Sequence, residues 1–306
     1  MELLKLVAVA TIAIFVASHA IARDVEHELG KTNVPDAPER IVVLEFSFID
    51  GLASVGVAPV GIADDNKRER VVPEYIEIIG DDWTSVGTRA TPSLEIIASL
   101  SPDLIIADLS RHAEAYETLS EIAPTIVLNS LGGNYHDAVE QMSVIGEAIG
   151  KSDEMQARIA EHQATMATFA KEVASRAEGL TAQFGVTRTD ALSLHSPISY
   201  NGSLLERLGF EAAMEIPETG GVRETNYVST SLEQLSEINP DILIFGAYTD
   251  PNIEQTWNSE ALYQGMTAVQ HGHVFQVTAH NWSRLRGILA AELTAADLSE
   301  ILDQLD

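Results

Sequence analysis

A stretch of 25 residues without glycine or proline, from Ser152 to Arg176, constrains this chain more than any other. Its apolar side chains recur three, four or seven positions apart, which places them on one face of an α-helix. Ser152 suits the N-cap, Asp153 falls in the positive first turn, and Gly179 lies just past the end. At ~1.5 Å per residue the helix would be roughly 38 Å long, the width of a small domain. Such a helix either covers a sheet or joins two lobes.

An internal repeat on both sides of this helix favours two lobes. Residues 94–106, LEIIASLSPDLII, align without gaps with residues 232–244, LEQLSEINPDILI. Short aliphatic strands alternate with helices in both halves, which is typical of a mostly parallel sheet covered on both faces. We therefore expect an α/β fold with an N-terminal lobe at 23–150, a linking helix at 151–176 and a C-terminal lobe at 177–306.

Hydrophobic runs and turn residues predict the elements within each lobe. The predicted strands are 40–45, 59–63, 85–87, 103–107, 125–128, 180–186 and 274–277. The predicted helices are 48–55, 73–79, 93–100, 112–122, 135–149, 202–208, 259–269 and 283–305. Residues 23–39 are polar, contain two prolines, and are expected to lead in as an extended segment.

Residues 1–22 predict an export signal that is not part of the fold. Lys5 precedes the apolar run VAVATIAIFVA, and Ala20 and Ala22 form a small-x-small cleavage pattern. The run is short for a membrane span, so we expect cleavage after about Ala22, with an uncleaved anchor as the alternative. The chain has no cysteine, which excludes disulfides, thiolate metal sites and a lipid-modified N-terminal cysteine. We therefore expect a free periplasmic protein that is not a lipoprotein.

The charge balance is strongly acidic and makes the few cations informative. Forty-six acidic residues face eighteen basic ones, for a formal charge of −28, which disfavours nucleic acid and anionic membranes as partners. Thirteen of the eighteen cations are arginine, whose planar fork grips carboxylates in a way that lysine does not.

Four segments carry a resemblance to a known family. They are RIVVLEFSFIDGLASVGVAPVGIADD at 40–65, SVGTRATPSLEIIASLSPDLIIADLSRHAEAY at 85–116, EMQARIAEHQ at 154–163 and NWSRLRGILAAE at 281–292. Over essentially the whole mature chain, the sequence resembles the iron-siderophore class of periplasmic substrate-binding proteins, which deliver iron chelates to ABC importers. The LExxxxxxPDLII element is common to the class. The combination of SVGTR, SRH and W-x-R-x-R-G is similar to the branch of the class that binds ferric dicitrate.

The resemblance implies two α/β lobes joined by one helix, with ligand held in the cleft between them. It implies a monomeric binding protein without enzymatic activity or a cofactor, whose ligand is Fe(III) as its citrate complex and whose partner is an inner-membrane ABC permease dimer. Residues 212–227 depart most from the family pattern, so the resemblance does not predict which residues form the rim of the second-lobe pocket.

Five arginines are candidate ligand contacts. Arg89, Arg111 and Arg188 each follow a predicted strand, and Arg284 and Arg286 stand at the predicted start of the last helix. Open α/β sheets bind ligands beyond their strand ends, and helix N-termini attract anions. Ferric citrate presents carboxylates outward while citrate oxygens satisfy the iron, so the protein needs cationic forks and no metal ligands of its own. Each arginine alone fits a surface ion pair; together with the resemblance they favour a pocket, led by Arg89, Arg111 and Arg286.

Four further side chains are candidates for the same site. Ser47 and Ser110 offer loop hydroxyls, and Trp282 could line the cleft or fix the last helix in place. His195, in a predicted second-lobe loop, could donate to ligand or serve as a satisfied structural histidine. Glu45 is tolerable beside a bound anion only if an arginine neutralises it.

Glu95 and Glu233 occupy equivalent positions in the two repeats, each at the start of a predicted helix. Stabilisation by the helix dipole explains an acidic residue there without any function. In proteins that this sequence resembles, matching glutamates dock onto arginine pockets of the two permease subunits, so the resemblance implies this docking role for both.

Three alternatives stay open. The same scaffold could bind another chelate, such as a carboxylate siderophore, haem or a corrinoid, although haem would require an axial ligand in an apolar cleft. A chelatase-like enzyme would share the two-lobed scaffold, but such enzymes act inside the cell, which the export signal disfavours. A secreted interaction protein without a small ligand is the third.

His271 and His273 have metal-like spacing but fit an exposed turn, and the sequence has neither a Gly-x-Ser-x-Gly elbow nor a phosphate loop.

Overall fold

Two sheets, built mostly from parallel strands, form the framework of the protein. The computed structural model describes residues 22–305. The strands are β1 Ala22–His27, β2 Gly30–Pro35, β3 Ile41–Val43, β4 Gly61–Ile62, β5 Thr84–Ser85, β6 Leu104–Asp108, β7 Thr125–Leu128, β8 Thr181–Thr187, β9 Leu192–His195, β10 Glu211–Ala212, β11 Tyr227–Thr230, β12 Ile242–Ala247 and β13 Val274–Val277. The helices are α1 Phe46–Ala53, α2 Pro73–Ile79, α3 Leu94–Ser99, α4 Leu109–His112, α5 Tyr116–Ile122, α6 Tyr135–Ala148, α7 Ser152–Arg176, α8 Tyr200–Leu208, α9 Val222–Asn226, α10 Leu232–Ile238, α11 Ile253–Trp257, α12 Ala261–Gln264, α13 Thr267–His271, α14 Ala279–Arg284 and α15 Ile288–Leu302.

The first sheet is wholly parallel and has the order β5-β4-β3-β6-β7. The second has the order β11-β9-β8-β12-β13, and β10 adds a short parallel pairing to β8. In this sheet β8, β12 and β13 run parallel, while β9 and β11 enter as antiparallel neighbours. Strands β3 and β6 are buried along their whole length, as expected of parallel strands covered on both faces. The predicted α/β class with mostly parallel sheets is confirmed.

The repeat in the sequence is also a repeat in structure. Segments α3–β6 and α10–β12 correspond, and each helix begins with a serine, Ser93 or Ser231, that accepts a hydrogen bond from the backbone N–H three residues later. The loop after each helix passes through a left-handed residue, Ser101 or Asn239, at the same offset of the alignment.

The Pro-Asp pair of each repeat fastens the loop to the neighbouring strand. Asp103 accepts hydrogen bonds from the backbone N–H groups of Glu39 and Arg40, both at 2.8 Å, just before β3. Asp241 accepts from the backbone N–H of Thr181, at the start of β8, at 2.9 Å. Each aspartate therefore binds the loop after its helix to the neighbouring strand of its own lobe.

Helix α7 joins the two lobes and has the predicted bounds. Met155 and Ile159, in its first half, pack into the core of the first lobe, whereas Met166 and Val173 pack into that of the second. Its N-cap is Lys151, without a side-chain capping bond, and Ser152 is the first helical residue. The predicted lobe boundaries at 150 and 177 stay a prediction, since part of α15 also packs into the first core.

The segment predicted as an extended lead-in is a hairpin. Strands β1 and β2 pair in antiparallel fashion, and the hairpin covers the edge of β7, where the backbone N–H of Glu28 donates to the carbonyl of Val127 at 3.0 Å. The predicted export segment lies outside the described residues except for Ala22. Within residues 22–305, no helix combines the length and the apolar character needed to cross a membrane.

Three predicted helices are broken in the structure. The helix predicted at 112–122 is α4, a 3-10 turn and α5, and the helix predicted at 259–269 is α12 and α13. The helix predicted at 283–305 begins only at Ile288, and α14 precedes it. A sequence pattern of short range does not report the contacts from distant residues that end these helices.

Candidate functional site

A cleft between the lobes brings the candidate arginines together. Its cavity measures about 240 Å³. The side chains that line it belong to Arg89, Arg111, Leu131, Val186, Arg188, Ser193, His195, Arg223, Tyr227, Tyr248, Ser283, Arg284 and Arg286. All five predicted arginines are in this set, with one more, Arg223. Several follow the C-terminal ends of strands, where open α/β sheets bind their ligands.

A buried glutamate organises the first-lobe side of the cleft. Glu45, between β3 and α1, accepts a hydrogen bond from Nη1 of Arg89 at 3.0 Å and another from Nε of Arg111. Burial raises the pKa of Glu45, but the charges of Arg89, Arg111 and Arg286 outweigh it and hold the pKa below its usual value. Glu45 is therefore a neutralised anion, which is the condition under which it can stand beside an anionic ligand.

Arg111 keeps its two terminal nitrogens for the cleft, because only its Nε finds a partner among residues 22–305. Its position is set by Asp108, at the end of β6. One carboxylate oxygen of Asp108 accepts from the backbone N–H of Arg111 at 3.0 Å, and the other accepts from the backbone N–H groups of Ser130 and Leu131. The strand end thus delivers the arginine directly to the cleft.

Arg89 is more fully occupied. Its Nη1 donates to Glu45, and its Nε and Nη2 donate to Asp65. Buried His112 holds the loop from the other side, since its Nδ1 accepts from the backbone N–H of Asp108 at 2.9 Å and its Nε2 donates to the carbonyl of Arg89 at 2.7 Å. The Ser-Arg-His motif therefore contains one arginine aimed at the cleft and one histidine that positions the Arg89 loop.

Arg286 is the deepest arginine of the cleft, with 5% of its surface exposed. Its Nη2 donates to the hydroxyl of Tyr227 at 3.2 Å and to the carbonyl of Ser283 at 3.3 Å. Its Nη1 is buried, and the described part of the chain offers it no partner. An unpaired buried donor costs about 1–3 kcal/mol, so an anionic oxygen from a ligand would be strongly favoured there.

The prediction that Arg284 and Arg286 start the last helix was wrong. Arg284 ends α14, and Arg286 lies in the extended link before α15. The reason is a contact from the first lobe: Asp50 accepts hydrogen bonds from the backbone N–H groups of Leu289 and Ala290, at 3.2 and 2.8 Å, and so caps α15. Gly287 has a φ of 144°, and a Cβ there would lie 2.2 Å from the Asp50 carboxyl carbon, so only glycine fits the link.

Tyr248 organises the two remaining predicted arginines. Nε of Arg284 donates to the hydroxyl of Tyr248 at 2.7 Å, and Nη1 of Arg284 donates to Asp65 at 3.3 Å. The guanidinium of Arg188, which is exposed, lies 5.1 Å from the centre of the Tyr248 ring. Both arginines therefore gain a cation–π contact from one tyrosine.

Sequence reasoning missed Arg223, Tyr227 and Tyr248. Arg223 lies in α9, within the segment that departs from the family pattern, and it is exposed at the rim. Next to it, the Tyr227 hydroxyl donates to the carbonyl of Leu131 at 3.2 Å, so the segment closes one side of the cleft against the first lobe. The sequence signal for Arg223 was weak: arginine is uncommon in this acidic chain, but Arg223 does not follow the end of a strand.

His195 is the last residue of β9 and not a loop residue. Asn201 donates to its Nδ1 at 3.3 Å, so the ring proton is on Nε2. Burial and, secondly, the charge of Arg286 lower its pKa to about 3. His195 is therefore a neutral hydrogen-bond donor at the wall of the cleft.

Three predicted contacts do not line the cleft. Ser47 is buried in α1 and donates to the hydroxyl of Ser130 at 2.7 Å. Ser110 is exposed but lies outside the lining. Trp282 is 1% exposed, and its Nε1 donates to Asp297 of α15 at 2.7 Å, so it staples the last helix. Ser47, Ser110 and Trp282 are therefore outside the lining of this cavity, and their contact with a ligand stays a prediction.

The chemistry of the cleft suits a polyanion. Six guanidinium groups line it, and two of the carboxylates beside them, Glu45 and Asp65, are already paired with arginines. Residues 22–305 contain no cluster of histidines and acids that could hold a metal ion. The six guanidinium groups suit a ligand that presents carboxylate or similar oxygens to them.

Comparison with known proteins places this chain among periplasmic binding proteins. A family model described as periplasmic binding protein matches residues 41–280. The chain is 42% identical over 288 residues to the Fe(3+) dicitrate-binding periplasmic protein FecB of Escherichia coli (strain K12), covering 94% of this chain and 93% of that protein. It is 39% identical over 279 residues to the Fe(3+)-citrate-binding protein YfmC of Bacillus subtilis (strain 168), covering 90% and 85%.

A solved structure shows the same architecture. Staphylococcus aureus SirA, complexed with staphyloferrin B, aligns with a TM-score of 0.78 at 26% identity and covers 92% of this chain and 98% of that one. The family model spans most of the chain, and both lobes and the linking helix are present. The chain belongs to the periplasmic binding protein family.

Proposed function

We propose that this protein is a periplasmic solute-binding component of an ABC importer, which binds ferric citrate in its interlobe cleft and delivers it to the inner-membrane permease. The observation that carries the proposal is the gathering of six of the thirteen arginines into one cleft of a chain with a formal charge of −28. Such a concentration of forked cations matches a ligand with several carboxylates. The names of FecB and YfmC support citrate as the chelator.

In this proposal the iron stays with its chelator. Fe(III) is a hard cation satisfied by citrate oxygens, and the protein supplies only outer contacts. Arg111 and Arg286 supply free terminal nitrogens, and His195 supplies a neutral donor. Arg188, Arg223 and Arg284 close the second-lobe side, and Arg89 contributes its charge and its hold on Glu45. We expect the protein to work as a monomer without a cofactor and without catalytic activity.

Delivery would depend on Glu95 and Glu233. Both are exposed and are the second residues of the equivalent helices α3 and α10. We propose that they dock onto arginine pockets of the two permease subunits, one from each lobe, because complementary charge sets orientation and encounter rate.

Calorimetric titration of the purified protein tests the ligand. We expect ferric citrate to bind at one complex per protein and more tightly than iron-free citrate or a ferric hydroxamate chelate. Tryptophan fluorescence gives a second readout, because Trp282 packs on Phe184, which packs on His195 at the cleft wall. Binding of the hydroxamate chelate without binding of ferric citrate would overturn the proposal.

Another carboxylate siderophore is the second candidate ligand. SirA has the same architecture, and its structure holds staphyloferrin B. Titration with a carboxylate siderophore beside ferric citrate ranks the two, and the tighter complex identifies the ligand.

A further inference from the structure

One carboxylate, that of Asp65, holds three arginines from two parts of the molecule. Its oxygens accept hydrogen bonds from Nη2 of Arg89 at 3.0 Å and from Nη1 of Arg70. They also accept from Nη1 of Arg284, at 3.3 Å, which belongs to α14 on the opposite side of the cleft. Asp65 itself does not line the cavity, whereas Arg89 and Arg284 do. The carboxylate therefore stands behind the arginines that face the ligand.

The backbone at Asp65 is held in an uncommon conformation. Asp65 and Asn66 have φ values of 62° and 57°, the left-handed region that non-glycine residues seldom adopt. Two hydrogen bonds from backbone to side chain help to maintain the turn: the backbone N–H of Asn66 donates to Asp64 at 3.0 Å, and that of Arg89 donates to Asp65 at 3.0 Å. Neighbouring contacts can hold a residue in an uncommon backbone conformation, and residues held in this way are often found at functional sites.

Helix α14 contacts the same turn twice. His280 and Arg284 are four residues apart and so lie on one face of the helix. His280 Nε2 donates to the carbonyl of Arg70 at 2.7 Å, beside the bond from Arg284 to Asp65. The loop after β4 and helix α14 are thus joined across the cleft by the turn that carries Asp65.

The Asp65 carboxyl is ionised at neutral pH in this setting. Only 12% of its side chain is exposed. Burial raises its pKa, but the hydrogen bonds and charge of Arg89 and the charge of Arg70 outweigh it and bring the pKa to about 2. Without this carboxylate, Arg70 and Arg284 would lose their counter-charge and Arg89 would keep only Glu45, so the three guanidinium groups would attract a small anion from solution.

We propose that Asp65 is a positioning residue for ligand binding: a resident carboxylate that holds Arg89 and Arg284 with their remaining donors toward the cleft and occupies the place that a small free anion would take. The proposal rests on the proposed function for the identity of the ligand. It predicts that a small carboxylate can replace the side chain once the side chain is removed.

The test uses two variants of the full chain. Asp65→Gly suits the left-handed backbone and leaves the place of the carboxylate empty, whereas Asp65→Asn keeps the shape and removes the charge. Asp303→Asn is the matched control, because Asp303 also pairs with an arginine, Arg176, but is 74% exposed. Ferric citrate binding is measured by calorimetry in sodium acetate and in sodium chloride of the same ionic strength.

We expect Asp65→Gly to weaken ferric citrate binding by about tenfold or more, and acetate to restore most of the loss. Acetate should not restore Asp65→Asn, whose amide fills the place, and in the parent it should only compete with ligand. Unchanged affinity in Asp65→Gly, a loss that acetate does not restore, or equal restoration by chloride would each overturn the proposal. If Asp65→Gly does not fold, Asp65→Asn decides, since parent-like affinity there overturns the proposal and a tenfold loss supports it.

A second readout separates this proposal from the identity of the ligand. Without any chelate present, acetate should raise the melting temperature of Asp65→Gly more than that of the parent and of Asp303→Asn, which it can stabilise only through the cleft. If the parent fails to bind ferric citrate but acetate stabilises Asp65→Gly more than the parent, only the proposed ligand is wrong. If acetate stabilises Asp65→Gly no more than the parent, the role of Asp65 is wrong whatever the ligand.

Discussion

Glu45 and Arg89 form an ion pair of 3.0 Å in which 8% of the arginine side chain and none of the glutamate side chain is exposed. Arg111 bonds to the other oxygen of the same carboxylate. A buried acid shared by two arginines holds both cations at a fixed spacing before any ligand arrives. The cleft is therefore organised by internal acids as well as by the arginines that face the ligand.

Glu45→Gln should lower the free energy of unfolding by about 3 kcal/mol, because it leaves Arg111 without its counter-charge and buried Arg89 with Asp65 alone. The folded-state pKa of Glu45 lies below its ordinary value, so its contribution is complete above an ordinary glutamate pKa and is lost as pH falls through the folded-state pKa. Urea unfolding at neutral and acidic pH measures both effects. Asp303→Asn, at an exposed pair, should change stability by about 1 kcal/mol or less. A Glu45→Gln protein as stable as this control would contradict the prediction.

Arg111→Ala and Arg286→Ala should each weaken ferric citrate binding by roughly ten- to a hundredfold, since each removes a charged donor worth about 1.5–3 kcal/mol. Arg89→Ala should weaken binding and also destabilise the fold, because Arg89 holds Glu45 and Asp65. Calorimetry and thermal unfolding of the same preparations separate these effects. Arg158→Ala, which loses a pair with Glu292 on α15, serves as the control and should bind like the parent. Parent-like affinity in all three cleft variants would show that the arginines do not bind the ligand.

His195 should make the protein less stable in acid. Its pKa of about 3 in the folded state lies well below the ordinary value, so the unfolded chain takes up the proton first as pH falls. The stabilisation is complete above about pH 6.5 and should decline by up to about 1.4 kcal/mol per pH unit below it. His195→Gln should flatten this dependence in urea unfolding between pH 7 and about pH 5. His136→Gln, at an exposed histidine, should leave it unchanged, and the same slope in parent and His195→Gln would contradict the prediction.

The double change Glu95→Ala with Glu233→Ala should leave ferric citrate binding intact and lower iron uptake through the transporter. Both side chains are exposed and neither lines the cleft, so binding has no reason to change. Uptake of radioactive iron by cells, at matched abundance of the binding protein, measures the effect. Glu121→Ala with Glu237→Ala, which also removes two exposed acids, is the control. Wild-type uptake by the Glu95/Glu233 variant would leave both residues as ordinary helix-start acids stabilised by the helix dipole.

Local pattern was enough to predict the framework. The bounds of α7, α2, β7 and β13 follow from the hydrophobic period and from residues that break helices and strands, because local residues in the sequence terminate these elements. The repeat of residues 94–106 and 232–244 was visible in sequence because the same capping serine, left-handed turn and strand-fastening aspartate are needed in each lobe. The arginines stood out because cations are few in this chain and several of them follow strand ends.

The sequence by itself determined the α/β class, the linking helix, the acidic surface and the choice of arginine for the cleft, all of which depend on residue type and short-range spacing. Tertiary structure alone decided which arginines keep free donors, that Trp282 is stapled to Asp297, and that the last helix starts at Ile288. Each of these depends on a partner far away in the chain, as when Asp50 caps a helix 240 residues later. Periodicity carries no information about such partners, because a hydrogen bond across two lobes leaves no mark on the spacing of either segment.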